Sequence, residues 1–570
     1  MNAPDNPLII QSDKTLLLDV HAPLAGEARA AIAPFTELEK SPEHIHTYKI
    51  TPLTLWNASA AGFTPLQVEQ VLQMYSRYEL PPNIIEAFAG TMARFGKIKM
   101  LSAGALPEQA DGMPNGSLFL QINDKPVYEE IANIKSLRKY LTDTGTGFTL
   151  KLEHRGTVKW ELIKLGWPVE DEAELADGEP LEMALREQAA SPAACWAVRD
   201  YQQSAVDAVF GRPDGGVKCP LGLGFGVVAL PCGSGKTIVG MAAMARLKTN
   251  TLILTTNVTA VHQWIDELLE KTTLERADIA EYTGAKKAVA PVTIATYQIL
   301  TWRREKDGLF PHFNLFRARP WGLIIYDEVH LLPAPVFRVT AELQAVRRLG
   351  LTATLIREDG EEDSVFCLVG PKRYDVPWKV LESKGWIAEA FCTEIRLSMP
   401  DDLKIAYASA PQREKYRIAS ENPEKMSIVL DLVTNHPDDH IIVIGQYLEQ
   451  LQIIAGELDA PLVTGKTTNK RREAVYNEFR QGKVRVIVVS KVANFAIDLP
   501  DASMAIQVSG AFGSRQEEAQ RLGRILRPKD RASFFYSIVS RYTVEEEFAA
   551  NRQKFLTEQG YKYVIKNWQD

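Results

Sequence analysis

The chain has 570 residues, which is too long for one hydrophobic core and predicts three or four domains. Its net charge of −7 argues against indiscriminate coating of nucleic acid, and the lack of a long apolar run argues against a membrane protein. Five cysteines without a CxxC pair indicate a reducing, cytosolic setting with neither disulfides nor structural zinc. The first residues have no basic region followed by an apolar core, so we expect no signal peptide.

The N-terminal third predicts two small domains. Residues 1–112 are expected to be mostly helical, as in TPLQVEQVLQMYSRYEL, where apolar residues recur three or four positions apart. Residues 113–185 contain SLFLQI, KPVYEEIANIKSLRKYL, GFTLKLEH and TVKWELIKLG, which predict a compact βαβα unit. This second segment also includes EDEAELADGE at 170–179, with six acids and no base. Because like charges repel each other and stay solvated, we expect an acidic linker there.

The rest of the chain repeats an apolar strand, a polar turn and an amphipathic helix. The runs GFGVVALP, NTLILTTN, VTIATY and WGLIIYDE are typical of parallel strands buried on both faces. A second series follows in HIIVIGQ, KVRVIVVS, MAIQVSG and FFYSIVS. The sequence therefore predicts the α/β class, with two tandem RecA-like doubly wound lobes at residues 186–390 and 391–570.

A phosphate-binding loop is predicted in LPCGSGKTIVG, which follows an apolar strand and opens a helix. Gly233 and Gly235 allow backbone N–H groups to close around phosphate oxygens, and the helix start adds partial positive charge. Lys236 is placed to bind the β- and γ-phosphates of ATP, and the Thr237 hydroxyl to bind Mg²⁺. Leu230 stands where the motif usually has its first glycine, but the flanking strand and helix disfavour a chance glycine-rich turn.

An acidic pair follows the strand in WGLIIYDEVH. Asp327 and Glu328 come at the carboxyl end of that strand, where α/β sheets bind ligands. Asp327 is predicted to hold Mg²⁺, largely through water, and Glu328 to orient and deprotonate the attacking water. His330 is a third candidate catalytic residue. An isolated Asp-Glu pair usually lies on the surface, but one that ends an apolar strand downstream of Gly-Lys-Thr favours a catalytic role.

The second lobe has no Gly-Lys-Thr motif of its own, but it contains EEAQRLGRILR. Gln520, Arg524 and Arg527 recur at helical spacing and share one face. An exposed basic helix face is the ordinary interpretation. Alternatively, these residues complete the first lobe's site with positive charge, which is worth about 10³ to 10⁵ in rate for such an arginine. In that case closure of the lobes is tied to hydrolysis.

In this order the motifs resemble those of superfamily 2 helicases. VRDYQ is similar to the motif that reads adenine, which implies Gln202 as the reader with Arg199 nearby. TTNVTAVHQW and TIATYQ resemble motif Ia and the adjacent DNA-contact motif, LTATL resembles motif III, and QRLGRILR resembles motif VI. SKVANFAIDLP resembles motif V, in which Asp498 matches the acid that binds ribose, and Ser490 and Lys491 match residues near the nucleic-acid backbone.

A more specific resemblance is to the bacterial branch of the XPB-type DNA repair helicases. TATLIRED matches the family's Arg-Glu-Asp motif, and VGPKRYDVPWKVLESKGWIAEAFCTEI its bridge into the second lobe. The βαβα unit resembles the family's damage-recognition domain. The resemblance implies that Arg357, Glu358 and Asp359 assist strand separation, although residue type alone favours a solvated turn. Residues 402–425 correspond either to the family's flexible helical thumb or to a surface helical hairpin.

This resemblance implies an ATP- and Mg²⁺-dependent DNA helicase that moves 3′ to 5′ in nucleotide excision repair. Its expected partner is forked, junction or distorted duplex DNA, bound by a monomer or weak oligomer in the bacterial cytoplasm, in association with the nucleoid and not with a membrane. The sequence has no nuclease constellation, so cutting would need a nuclease partner. Two alternatives stay open: a double-stranded DNA translocase that remodels complexes without unwinding, and an ATP-switched scaffold for a nuclease.

Overall fold

A computed structural model gives the fold of the chain. The residues it describes are 5–40, 44–102, 117–186, 196–211, 224–231, 233–305, 310–332, 336, 340, 346–353, 362–376, 381–382, 384–386, 389–490, 502–510, 532–558 and 563–568. The chain divides into two compact units. One consists of Met1–Glu37, Tyr48–Leu230 and Gly235–Asp375, and the other of Leu38–Thr47, Pro231–Ser234 and Val376–Asp570. Within these ranges, no helix has the length and apolarity needed to cross a bilayer.

The N-terminal region contains strands as well as helices. Its elements are β1 (Leu8–Ile10), β2 (Thr15–Asp19), α1 (Ala25–Ile32), a 3-10 helix (Ala33–Phe35), β3 (Glu37–Lys40), β4 (Ile45–Lys49), α2 (Pro52–Ala60), α3 (Pro65–Tyr75) and α4 (Pro82–Met92). β1 and β2 pair antiparallel, with Leu8 opposite Leu18. The prediction for 1–112 did not include these strands, although helices cover more of the described residues there than strands do. In β2 buried and half-buried residues alternate, which is the period of a strand and not of a helix.

The next region carries the predicted strand, helix, strand and helix as β6, α5, β8 and α6. Its elements are β5 (Ile98–Ser102), β6 (Ser117–Ile122), α5 (Lys125–Asn133), β7 (Thr142–Asp143), β8 (Gly147–Lys151), a 3-10 helix (Leu152–His154), α6 (Arg155–Lys164) and β9 (Glu170–Asp171). The strands form one sheet in the order β7-β8-β6-β5-β9. β5 precedes residue 113, so this sheet begins before the predicted boundary.

The acidic run at 170–179 is part of the folded structure. β9 pairs with β5, and the Asp171 side chain, 1% exposed, accepts hydrogen bonds from Arg155 at 2.8 Å and Lys159 at 2.9 Å. Further along, Asp177 pairs with Arg347 at 2.9 Å. The expectation of a solvated linker is therefore wrong for Glu170 and Asp171, which are buried, whereas Glu172, Glu174 and Asp177 are exposed as expected.

The first lobe is built on a seven-stranded parallel sheet. Its elements are α7 (Asp200–Phe210), β10 (Phe225–Ala229), α8 (Lys236–Leu247), β11 (Thr251–Thr255), α9 (Val258–Lys271), β12 (Ile279–Tyr282), β13 (Val292–Thr296), α10 (Tyr297–Leu300), β14 (Leu323–Asp327), β15 (Arg347–Thr352), α11 (Glu362–Leu368), β16 (Lys372–Asp375) and 3-10 helices at Arg276–Asp278, Pro311–Arg317 and Val329–Leu331. The strand order is β12-β13-β11-β14-β15-β10-β16. Every residue of β10, β11 and β13 is buried, as the apolar runs predict.

The second lobe repeats this plan. Its elements are β17 (Ala390–Leu397), α12 (Asp401–Ser409), α13 (Gln412–Ser420), α14 (Lys425–Asn435), β18 (Ile441–Gly445), α15 (Leu448–Glu457), β19 (Leu462–Val463), α16 (Asn469–Arg480), β20 (Val486–Ser490), β21 (Met504–Gln507), β22 (Ser533–Ser540), α17 (Val544–Glu558) and β23 (Tyr563–Asn567). Its seven strands are parallel, in the order β19-β20-β18-β21-β22-β17-β23. The predicted α/β class with two tandem lobes is confirmed. The segment predicted as a thumb or a hairpin contains α12 and α13.

A buried ion pair fastens the second lobe internally. Lys425, at the start of α14, donates to both carboxylate oxygens of Glu545 in α17 at 2.9 Å and to the Val508 carbonyl oxygen at 2.8 Å. The two side chains are 1% and 3% exposed. Because both charges are removed from water, the loss of either side chain would leave the other as an unpaired buried charge.

Candidate nucleotide site

The loop between β10 and α8 has the backbone that a phosphate-binding loop needs. Gly233 and Gly235 have φ of +78° and +79°, a region that favours glycine, and Gly235 directly precedes the first residue of α8. A Cβ at Gly235 would also lie 2.6 Å from Nε2 of Gln202. Lys236 is therefore placed at the start of the helix by a residue whose backbone conformation favours glycine, and a larger residue there would also displace the end of the Gln202 side chain.

Gln202 lies beside this loop. It is buried in the first turn of α7, where its Oε1 accepts a hydrogen bond from the Arg199 backbone N–H at 2.9 Å. Its Nε2 lies 3.5 Å from the Gly235 carbonyl oxygen. The Arg199 guanidinium donates to the Tyr201 hydroxyl at 3.3 Å. The structure thus brings VRDYQ and GSGKT together, as the order of motifs predicts.

Asp327 ends β14 at the carboxyl edge of the sheet. Its Oδ2 accepts a hydrogen bond from the Trp264 indole N–H at 2.9 Å, and the Thr255 hydroxyl lies 3.5 Å from the same oxygen. Burial and the neighbouring Glu328 carboxylate raise the pKa of Asp327 to about 6, and the hydrogen bond from Trp264 opposes that rise. The hydrogen bond therefore orients this carboxylate. The raised pKa means that its negative charge is unfavourable in this buried site unless a positive charge lies nearby.

Glu328 turns back toward the phosphate loop. Its φ and ψ are +50° and +55°, a left-handed conformation that costs a residue with a side chain about 1–2 kcal/mol. Its Oε1 lies 3.6 Å from Nζ of Lys236, and its Oε2 lies 3.5 Å from Nδ1 of His330. The structure therefore brings together the lysine of one predicted motif and the acid of the other.

His330 and Tyr297 connect this acidic pair to two further strands. The buried His330 has its Nδ1 2.7 Å from the hydroxyl of Thr352, which ends β15 and lies in LTATL. The Tyr297 hydroxyl, at the start of α10 in TIATYQ, donates to the Asp327 carbonyl oxygen at 2.9 Å. Sequence reasoning assigned no role to Tyr297, Thr352 or Trp264. Thr352 ends β15 and Tyr297 directly follows β13, which was the available signal for those two residues, whereas Trp264 lies within α9.

The residues at this edge fit a magnesium ion of the kind that helps to bind ATP. The Thr237 hydroxyl and the Asp327 carboxylate are oxygen donors, which Mg²⁺ prefers. Among the residues that the structure describes, no group of three or more His, Cys, Asp and Glu side chains forms a metal cluster.

Known proteins match almost the whole length of the chain. Residues 381–570 match the model of the ERCC3/RAD25/XPB C-terminal helicase, residues 196–357 the type III restriction enzyme res subunit, and residues 8–144 a helicase conserved C-terminal domain. The chain is 51% identical to the DNA 3′-5′ helicase XPB of Kineococcus radiotolerans, over 99% of this chain and 97% of that protein. It is 50% identical to the protein of the same name from Mycobacterium tuberculosis, over 99% and 98%.

The chain belongs to the XPB family of superfamily 2 helicases. A eukaryotic member, the general transcription and DNA repair factor IIH helicase/translocase subunit XPB of Encephalitozoon cuniculi, is 31% identical over 98% of this chain and 82% of its own length. The family resemblance inferred from the motifs is therefore confirmed across the chain, including the N-terminal region.

Two more predicted site residues lie within the described part of the chain. Ser490 is buried at the end of β20 in the second lobe, and Thr237 is partly buried in the first turn of α8. The other predicted residues lie outside those that the structure describes: Arg357, Glu358, Asp359, Lys491, Asp498, Gln520, Arg524 and Arg527.

Proposed function

We propose that this protein is an ATP-dependent DNA helicase that moves 3′ to 5′ and serves DNA repair. One observation carries the ATP-dependent part: Lys236 at the start of α8 and Glu328 after β14 approach to 3.6 Å beside Asp327. In this proposal they serve as the phosphate-binding cation, the base and the metal-binding carboxylate at one edge of the sheet. The DNA helicase part rests on family membership, with about half of the residues identical to bacterial relatives named DNA 3′-5′ helicase.

Each first-lobe residue has a distinct task in this proposal. Lys236 binds phosphate oxygens of ATP, and Glu328 accepts a proton from the attacking water. His330, held by Thr352, keeps the Glu328 side chain in place. Thr237 and Asp327 hold Mg²⁺, which when bound neutralises negative charge on the phosphate oxygens. Backbone N–H groups of the glycine loop orient the phosphates.

Further roles follow from the motifs that resemble the family. Arg199 and Gln202 contact the adenine base, and Asp498 the ribose. Gln520, Arg524 and Arg527 supply positive charge to the transferring phosphoryl group. Ser490 and Lys491 contact the DNA backbone, and the Arg-Glu-Asp triplet at 357–359 separates the strands.

The proposed DNA partner is a fork, a junction or a distorted duplex in the bacterial cytoplasm, at the nucleoid. Most contacts are expected to reach phosphates, so binding should tolerate any sequence and weaken steeply with salt. The proposal includes a nuclease partner for cutting and a monomer or weak oligomer. The units 1–112 and 113–185 would sense the distorted duplex.

A translocase that remodels complexes without unwinding is the second candidate. It is favoured by the name of the Encephalitozoon cuniculi relative, which reads helicase/translocase. Strand displacement on matched 3′- and 5′-tailed duplexes separates the two functions, because a translocase alone leaves both duplexes intact. An ATP-switched scaffold predicts little DNA-stimulated phosphate release, so that measurement separates it from both.

The phosphate assignment is tested by Lys236→Ala. The variant should lose ATP hydrolysis and keep most of its DNA affinity, because the lysine is placed to contact phosphates of ATP. Phosphate release and DNA binding by fluorescence anisotropy measure the two properties. Lys286→Ala is the control, since that lysine of the same lobe is 63% exposed and its buried partner Glu281 keeps the hydrogen bond from the Thr283 hydroxyl. Undiminished turnover in Lys236→Ala would contradict the assignment.

A further inference from the structure

Three side chains fix the position of Asp327 in the structure. The Trp264 indole N–H and the Thr255 hydroxyl both approach Oδ2, at 2.9 Å and 3.5 Å, and the Tyr297 hydroxyl donates to the backbone carbonyl oxygen at 2.9 Å. These side chains come from α9, β11 and α10. Among the described side chains, Trp264 makes the short hydrogen bond to the carboxylate, and the Glu328 backbone N–H also donates to it, so the indole helps to determine how the carboxylate is turned.

The indole of Trp264 has little freedom to move. Its side chain is 2% exposed, and it lies against α8, the helix that begins with Lys236. At Gly240, in the middle of that helix, an added Cβ would lie 2.6 Å from the ring. The indole therefore occupies a fixed place between the phosphate-loop helix and the end of β14, and its N–H is aimed at one oxygen.

A hydrogen bond to one carboxylate oxygen determines which oxygen is left for a metal ion. Donors behind a metal ligand orient it and tune its basicity, and losing such a donor typically lowers metal affinity by about 10- to 100-fold. With Oδ2 engaged by the indole, Oδ1 of Asp327 is the oxygen available to a cation or to its bound water. The carboxylate is then oriented before any cation arrives.

We propose that Trp264 is a positioning residue for magnesium binding: its indole N–H holds Asp327 so that the second carboxylate oxygen faces the ion that accompanies ATP. This inference rests on the proposed function, in which Asp327 holds Mg²⁺. The proposed role is orientation only, through the hydrogen bond from the indole N–H to Asp327.

The test compares Trp264→Phe with Trp321→Phe. The first substitution removes the N–H and keeps an aromatic ring. The second makes the same change at a tryptophan that is equally buried at 2%, in the same lobe, and donates to the Leu315 carbonyl oxygen at 3.0 Å, away from Asp327. The Mg²⁺ concentration for half-maximal binding of a fluorescent ATP analogue is measured by anisotropy, together with the Mg²⁺ dependence of phosphate release.

Trp264→Phe should raise the Mg²⁺ concentration needed for half-maximal nucleotide binding by about 10- to 100-fold, with turnover recovered at high Mg²⁺. Trp321→Phe should match the wild type in this property, even if both variants melt at a lower temperature. An equal Mg²⁺ requirement in the two variants would overturn the proposal and leave Trp264 a packing residue. If the wild type itself lacks Mg²⁺-dependent nucleotide binding, the proposed function fails instead.

A second substitution separates the hydrogen bond from packing. Replacing Trp264 with its benzothiophene analogue, in which sulfur takes the place of the N–H, keeps the shape of the ring system. This variant should show the same higher Mg²⁺ requirement as Trp264→Phe. A wild-type Mg²⁺ requirement in the folded analogue protein would refute the proposal even if Trp264→Phe does not fold.

Discussion

Asp171→Asn should destabilise the first unit strongly, because Asp171 is the carboxylate between two buried cations. It is 1% exposed, with Arg155 at 2.8 Å and Lys159 at 2.9 Å. Removing one partner of a buried ion pair costs about 3–5 kcal/mol. Arg155 also donates to the carbonyl oxygens of Ala173 and Glu174, at 2.9 Å and 3.1 Å, and keeps those bonds in the variant. We therefore expect a loss of about 3 kcal/mol, at the lower end of that range.

Hydrogen exchange measured by mass spectrometry gives the local stability of α6 and β9 without requiring two-state unfolding of the whole chain. A loss of about 3 kcal/mol speeds exchange of their protected amides by about a hundredfold. Glu172→Gln is the control, because the adjacent acid is 34% exposed and its pair with Lys99 is worth about 0–1 kcal/mol. Equal exchange rates in the two variants would refute the reasoning and restore the solvated linker that the sequence suggests.

Three further changes test other parts of the molecule. Burial lowers the pKa of Lys159 from 10.5 to about 8, so between pH 8 and pH 10.5 the unfolded chain binds more protons than the folded chain. As the pH rises through this window, the free energy of unfolding should therefore rise by up to about 3 kcal/mol relative to Lys159→Met, as measured by urea titration. Parallel plots of unfolding free energy against pH for the two proteins would contradict this. Replacing the triplet 357–359 by alanines should spare DNA-stimulated ATP hydrolysis and impair strand displacement; a joint loss would assign it to hydrolysis or folding. Glu545→Gln should destabilise the second lobe by about 3–5 kcal/mol, because it leaves Lys425 as a buried charge without its carboxylate partner. An unchanged urea midpoint of unfolding would contradict a stabilising role for this buried ion pair.

The parts of the fold that the sequence predicts best are those with a strong local signal. Strands β10, β11, β13 and β14 are short, mostly apolar runs. Such runs are typical of parallel strands buried on both faces, which is how the structure uses them. The same holds for the phosphate loop, where Gly233 and Gly235 have the positive φ that the motif predicts. In these segments local propensity and tertiary structure agree.

Features that depend on distant partners could not be predicted. Asp171 looks solvated in the acidic run at 170–179 until Arg155 and Lys159, four residues apart on α6, are seen to face it. The left-handed backbone at Glu328 and the contact from Trp264 to Asp327 have no signature in residue type, since both arise where separate segments meet. The strands of the N-terminal region were missed for a different reason. They are short, and a window chosen for helical period passes over LII and TLLLD.

Gly240 limits how this protein can be made more robust to heat. Glycine inside a helix is less favourable than alanine by about 1 kcal/mol, so exchanging the two is a common stabilising substitution. Here a methyl group would meet the Trp264 ring at 2.6 Å and the Ile325 side chain at 3.4 Å. The substitution would push α8 and the Trp264 ring apart and so disturb the hydrogen bond from Trp264 to Asp327. The glycine thus lowers the intrinsic stability of α8 but allows the helix to pack closely against Trp264. Substitutions that raise thermal stability should therefore be sought at other positions.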